Sequence, residues 1–230
     1  MNTYRALIFF LFWMALLIDC FLIFTQKTEY RVYTKTLLIP LLMIAIYIEA
    51  RNTKHSTSQI LINVAFFFCF LGDFTLLNDE DSGRFTLGLF SFLVAHLVLI
   101  FFFYRLKPFT VKYATFIVIT SLVVLSYILG LFYYIWDSVS LQNFEIPVVV
   151  YAVVLGLMVV TSINTIKNRS IKRIAKFYFI PGALFFLVSD TLLALSKFYY
   201  NYNYSAVPIM LTYGLAIFLL TCGAIRFLEK

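Results

Sequence analysis

Charge is scarce in this chain. Of its 230 residues only 13% are Asp, Glu, Lys or Arg, against roughly a quarter in an ordinary soluble domain. Histidine is scarcer still. His55 and His96 are the two present, so a three-histidine zinc hydrolase centre lacks its ligands. The three cysteines, Cys20, Cys69 and Cys222, lie singly in apolar runs and form no C-x-x-C pair, which argues against a disulfide framework or a thiolate zinc site. No G-x-S-x-G elbow or S-x-x-K pair offers a serine nucleophile. No P-loop or dinucleotide fingerprint is present either. Nothing in the sequence asks for a cofactor or a metal. Nucleic acid is excluded as a partner for a similar reason: the net charge of +7 is scattered over short segments, with no basic domain to carry it.

What the chain has instead is apolar bulk. Hydrophobic residues make up 63% of it, with 27 Phe and 16 Tyr, a composition suited to lipid-facing helices and their interfacial ends. About 20 apolar residues carry a helix across the hydrocarbon core. Runs of that kind predict spans over 6–25, 34–50, 58–77, 85–104, 113–136, 146–166, 174–196 and 206–227, the second being the shortest. The first run has no small-residue cleavage site behind it and reads as a retained helix. In lipid every backbone polar group must be satisfied internally, and such continuous runs lack the alternation of barrel strands. The expected fold is therefore an all-α integral membrane protein, a bundle of about eight transmembrane helices forming one domain over 1–230.

Basic residues set the expected orientation. Thirteen of the eighteen Lys and Arg fall on one set of alternate connections and chain ends, and such residues favour the cytoplasm. Both termini are expected there, in a multi-pass cell-membrane protein of bacterial inner-membrane type. Trp13, Trp136 and the tyrosines of 199–204 read as interfacial belt residues. The acidic run Asn78-Asp79-Glu80-Asp81 reads as a solvated loop.

Ionisable side chains within spans are costly and are functional candidates by default. Asp19, Asp73, His96 and Asp190 lie inside the predicted spans, with Lys35 near an end. At about 1.5 Å per residue, Asp73 and Asp190 lie roughly 22 and 24 Å from the cytoplasmic ends of their spans, and Asp19 roughly 20 Å. His96 descends roughly 16 Å from the other side. Helical side chains lean toward the N-terminus of their helix, which brings these four toward one polar layer on the outer side of the midplane. A faint echo between Phe70-Leu71-Gly72-Asp73 and Leu187-Val188-Ser189-Asp190, four spans apart, suggests a parallel duplication. On span seven, Ala183, Phe186, Asp190, Ala194 and Lys197 share a stripe, Gly182 and Ser189 permit close packing, and Pro181-Gly182 invites a kink.

Gly72-Asp73 resembles part of an intramembrane aspartyl protease signature, but Phe70 stands where a glycine is needed and the partner Tyr-Asp pair is absent. A wider pattern fits another family. Lys35 to Pro40; Gly72-Asp73 with Leu76; Phe85, Gly88, Phe92 and Ala95-His96; Pro147, Tyr151 and Met158; Gly182-Ala183, Phe186, Ser189-Asp190, Ala194 and Phe198; and Tyr213 with Gly223 together resemble the YhhN-type lysoplasmalogenases across spans two to eight. Departures are Thr36 where a proline is common, Leu97–Leu99 without the usual tyrosine, and Ile217 where a glutamine is frequent.

The resemblance implies an eight-span enzyme that hydrolyses the vinyl ether bond of lysoplasmalogens, with a lysophospholipid substrate drawn from the membrane. Such chemistry needs a protonated carboxylic acid and a nearby carboxylate, roles that Asp73 and Asp190 are suited to divide, with His96 orienting one or moving a proton. Lys35 is a candidate for the substrate phosphate. Asp19, Tyr151 and Ser189 are the remaining substrate-binding candidates. The same buried carboxylates would also serve a small proton- or cation-coupled transporter, or merely bond helices together. Two close carboxylates from separate spans are what the enzyme reading requires.

Overall fold

A computed structural model describes residues 3–51, 53–78, 82–200 and 204–230. Among the described residues the secondary structure is entirely helical. Eight spans are long and apolar enough to cross a membrane. In chain order they are α1 (Thr3–Phe24), α2 (Arg31–Glu49), α3 (Ser56–Thr75), α4 (Ser82–Leu106), α5 (Ala114–Leu141), α6 (Glu145–Asn164), a seventh span built from three pieces, and α9 (Ala206–Leu228). The seventh begins as a short α7 (Lys172–Ile174), widens into a π turn over Ala175–Phe179, and continues as α8 (Ile180–Phe198). All eight predicted spans are present. The second is longer than expected, starting at Arg31, and α5 runs on to Leu141.

Local chemistry explains the joints. α1 ends where Gln26 takes a left-handed φ of 57°. Lys27 N–H then donates to Leu22 O and Gln26 N–H to Ile23 O, a Schellman closure that satisfies the last carbonyls of the helix. The same closure ends α5, with Asn143 at φ 56° and Phe144 N–H on Val139 O. In the seventh span Pro181 has no N–H to give Phe177 O. The π turn of Ala175–Phe179 falls at that point, so the predicted irregularity is an extra-wide turn beside the proline.

Small residues let the helices close on one another. A Cβ on Gly88 would stand 2.6 Å from Leu76 Cγ, and one on Gly182 would lie 3.0 Å from the Leu220 side chain; real Cβ atoms need more room, so these glycines set the α3–α4 and α8–α9 spacing. The pairs α1–α2, α2–α3, α4–α6, α5–α6 and α1–α9 complete the ring of neighbours. One continuous buried cluster runs from Ile8 to Leu228. Its outer surface is apolar too: Val118, Ile119, Leu122 and Val123 of α5 are exposed, as lipid contact requires.

The two chain ends meet on the same side of the bundle. Arg5 Nη1 lies 2.8 Å from Glu229 Oε1 and 3.5 Å from Glu49 Oε2, bringing the ends of α1, α2 and α9 together. Trp13 corrects an expectation. It lies half-way along α1, edge-on to Phe218 at 5.1 Å, in apolar packing and away from a membrane interface. Trp136, Tyr199 and Tyr200 are exposed near helix ends. Asp79, Glu80, Asp81 and Tyr202 lie outside the described residues.

Candidate active site

At the face opposite the chain ends, α2 and α9 begin while α3 and α8 finish. Their tips surround a cavity of about 240 Å³. α2 supplies Arg31 and Lys35, α3 supplies Asp73, α8 supplies Ser189 and Asp190, and α9 supplies Tyr213. Four of the residues singled out in the sequence, Lys35, Asp73, Ser189 and Asp190, therefore line one space.

Each aspartate has a tyrosine from a different helix. Tyr213 OH donates to Asp73 Oδ2 at 2.6 Å, and Tyr151 OH donates to Asp190 Oδ2 at 2.5 Å. Beyond that their surroundings differ. Lys35 Nζ stands 3.8 Å from Asp73 Oδ1, so a cation faces the Asp73 carboxyl. Asp190 faces His96 instead, with Nε2 at 3.9 Å. That is too long for a hydrogen bond, and both ring nitrogens of His96 are buried without a hydrogen-bond partner among the described residues. Lys35 and His96 thus give two similar carboxyls unlike electrostatic company.

An aromatic wall holds the two halves in register. The Phe186 ring lies 4.6 Å from His96 and 5.6 Å from Tyr213, and His96 lies 5.5 Å from Tyr151, all edge to face. Phe92 closes the wall against Phe186 and Tyr213 at 6.2 and 6.0 Å. Gly72 makes room for it, because a Cβ at that position would stand 2.5 Å from Phe92 Cε2. Such contacts fix side-chain rotamers and keep water from the back of the site.

Asp190 also has an apolar side. Two narrow clefts of about 50 and 40 Å³ reach it from the far side of α8, and both are lined by Val148, Tyr151 and Ala194. Asp190 is common to these clefts and to the polar cavity. Tyr151 touches the clefts and not the polar cavity, so it sits behind Asp190. Ser189 lines the polar cavity, with its hydroxyl donating to Ile209 O at 3.2 Å and tying α8 to α9.

Asp19 is placed differently from its neighbours in the predicted layer. It does not line the cavity. It is wholly buried and holds Arg31, with Nε to Oδ1 at 3.3 Å and Nη2 to Oδ2 at 3.1 Å, while Thr34 Oγ1 donates to Oδ1 at 2.7 Å. The span predicted over 34–50 leaves Arg31 outside it, and Tyr213 enters the sequence only as a motif residue. The available signal was helical spacing: Arg31, Thr34 and Lys35 share one face of α2. Among the described residues no three metal-ligating side chains converge.

Residues 30–224 match the YhhN family. The chain belongs to that family. Two curated relatives are proteins named Lysoplasmalogenase from Mycobacterium bovis (strain ATCC BAA-935 / AF2122/97) and Mycobacterium tuberculosis (strain CDC 1551 / Oshkosh). Each is 30% identical over 156 residues, which is 66% of this chain and 55% of the relative. The YhhN chain thus spans about half the length of the curated relatives it matches. No solved structure matches it.

Proposed function

We propose that this YhhN protein hydrolyses the vinyl ether bond of lysoplasmalogens, releasing a fatty aldehyde and a glycerophospho-alcohol. The observation that carries the reading is the position of Asp190, at the junction of a polar cavity and two apolar clefts. A lysoplasmalogen changes character at the corresponding bond, with phosphate and glycerol on one side of the enol ether and an alkyl chain on the other. The relatives named Lysoplasmalogenase agree with this substrate class.

The asymmetry between the carboxyls divides the labour. Protonation of a vinyl ether occurs at the carbon remote from oxygen, the one facing the chain. Asp190, on the apolar side, is the acid and delivers its proton there. The resulting oxocarbenium ion takes water at the carbon bonded to oxygen, facing the polar cavity. Asp73, with the Lys35 ammonium beside it, accepts the proton of that water. In the collapse of the hemiacetal, Asp190 takes back the hydroxyl proton as the aldehyde forms, and Asp73 returns its proton to the departing glycerol oxygen. Both carboxyls end as they began. Tyr151 and Tyr213 hold the two groups in place, and His96 backs Asp190.

With the thirteen-residue basic side in the cytoplasm, both chain ends are cytoplasmic and the cavity opens toward the external leaflet of a cell membrane, of bacterial inner-membrane type. The test is direct. Purified protein is incubated with a lysoplasmalogen and with its acyl ester analogue, and free aldehyde is measured. Aldehyde from the first alone, lost in Asp73→Asn and Asp190→Asn proteins that still fold, supports the proposal; undiminished release from those variants overturns it.

A further inference from the structure

The Asp19–Arg31 pair has features that helix bonding does not require. A guanidinium carries five N–H donors in a rigid fork. Asp19 engages the edge formed by Nε and Nη2, and Asp19 is itself fixed by Thr34. Among the described residues Nη1 makes no hydrogen bond, and Arg31 lines the cavity that holds Asp73 and Asp190. One turn along α2, Lys35 lines the same cavity. The tight closure of α1 at Gln26 sets the start of α2 close enough for Arg31 to reach down to Asp19. The outcome is an oriented donor edge at the polar end of the cavity, with no rotamer search left to make on binding.

We infer that Arg31, aimed by Asp19, is the anchor for the phosphate of the substrate head group, and that Asp19 is a positioning residue which never touches substrate. This rests on the lysophospholipid reading given above. Arg is suited to the task, because its planar fork matches phosphate oxygens in pairs, whereas an ammonium such as Lys35 acts as a point charge. The arrangement selects phosphate-bearing lipids over neutral glycerol ethers of the same chain.

The experiment measures binding to the detergent-purified full chain of two lipids that lack the vinyl bond and so are not cleaved: 1-O-hexadecyl-lysophosphatidylethanolamine and 1-O-hexadecylglycerol. The wild-type protein is expected to prefer the phospholipid. In Arg31→Gln the preference should fall by about 10- to 100-fold, the loss typical of a charge-assisted hydrogen bond. Asp19→Asn and the milder Thr34→Val should lower it in the same direction by smaller factors. Because both lipids meet the same preparation, any loss of folded protein cancels in the ratio. An unchanged ratio in Arg31→Gln, or equal weakening toward both lipids, overturns the inference and leaves the pair a helix fastener. Absence of aldehyde from lysoplasmalogen, with the binding preference intact, instead removes the hydrolase reading and keeps the phosphate site.

Discussion

The hydroxyl of Tyr151 on α6 donates to Oδ2 of Asp190 on α8 at 2.5 Å, across the floor that separates a polar cavity from two apolar clefts. This bond ties the Asp190 carboxyl to α6. Tyr151→Phe keeps the ring against His96 and removes only the donor. A hydrogen bond to a neutral carboxylic acid contributes about 0.5–1.5 kcal/mol, so aldehyde release should slow by about 2- to 10-fold, chiefly in kcat. Steady-state kinetics with a single lysoplasmalogen check this.

The proposed protonation leaves a mark in the product. In deuterated water the aldehyde should carry one deuterium on the carbon next to the carbonyl, delivered to one face. In ¹⁸O-water with immediate reduction, the label should enter the fatty alcohol and not the glycerol. Label found in the glycerol would rule out attack at the vinyl carbon.

Neutralising the two carboxyls should have equal severity by different routes. In the proposed mechanism Asp190→Asn would lack the proton for the alkene, and Asp73→Asn would lack the base for water. Each should reduce turnover by about 10²–10⁴-fold, the range of general acid–base catalysis, while thermal unfolding in detergent shows the bundle intact.

Ala194 lines both apolar clefts beside Asp190. Ala194→Leu fills that space. If the alkenyl chain lies there, kcat/KM for long-chain substrate should fall by at least about 10- to 200-fold, the range for one methylene too many in an apolar pocket, and a short-chain vinyl ether should be far less affected. Equal losses with both chain lengths would place the chain elsewhere.

Gly72 lies next to Asp73 with Phe92 pressed against it. Gly72→Ala should lower stability by about 1–3 kcal/mol through overpacking, and should move the Phe92 ring toward Tyr213. The check is chemical or thermal unfolding in detergent, alongside activity, since a displaced Tyr213 would loosen Asp73.

The bundle was readable because lipid leaves the chain few choices. Long uninterrupted runs such as 85–104 must be helices there, and an aspartate such as Asp73 inside one is conspicuous against its neighbours. Boundaries were less readable: Arg31 and Lys35 are charged, so hydropathy began α2 three residues late, and the ion pair to Asp19 is what draws the helix out to Arg31. Trp13 shows the same limit from the other side. Its residue type suits an interface, yet packing against Phe218 holds it mid-span.

Sequence alone determined the number of spans and the family likeness, because each depends on hydropathy or on motif order along one chain. Only the tertiary structure decided partnership. Asp73 and Asp190 are alike as residues; what distinguishes them is an ammonium from α2 near one and an apolar cleft near the other. Asp19 was equally conspicuous in the sequence, and its role turned on Arg31 reaching it across a turn. Electrostatic company depends on distances between helices, and those are set by glycines, aromatic packing and helix closures acting together.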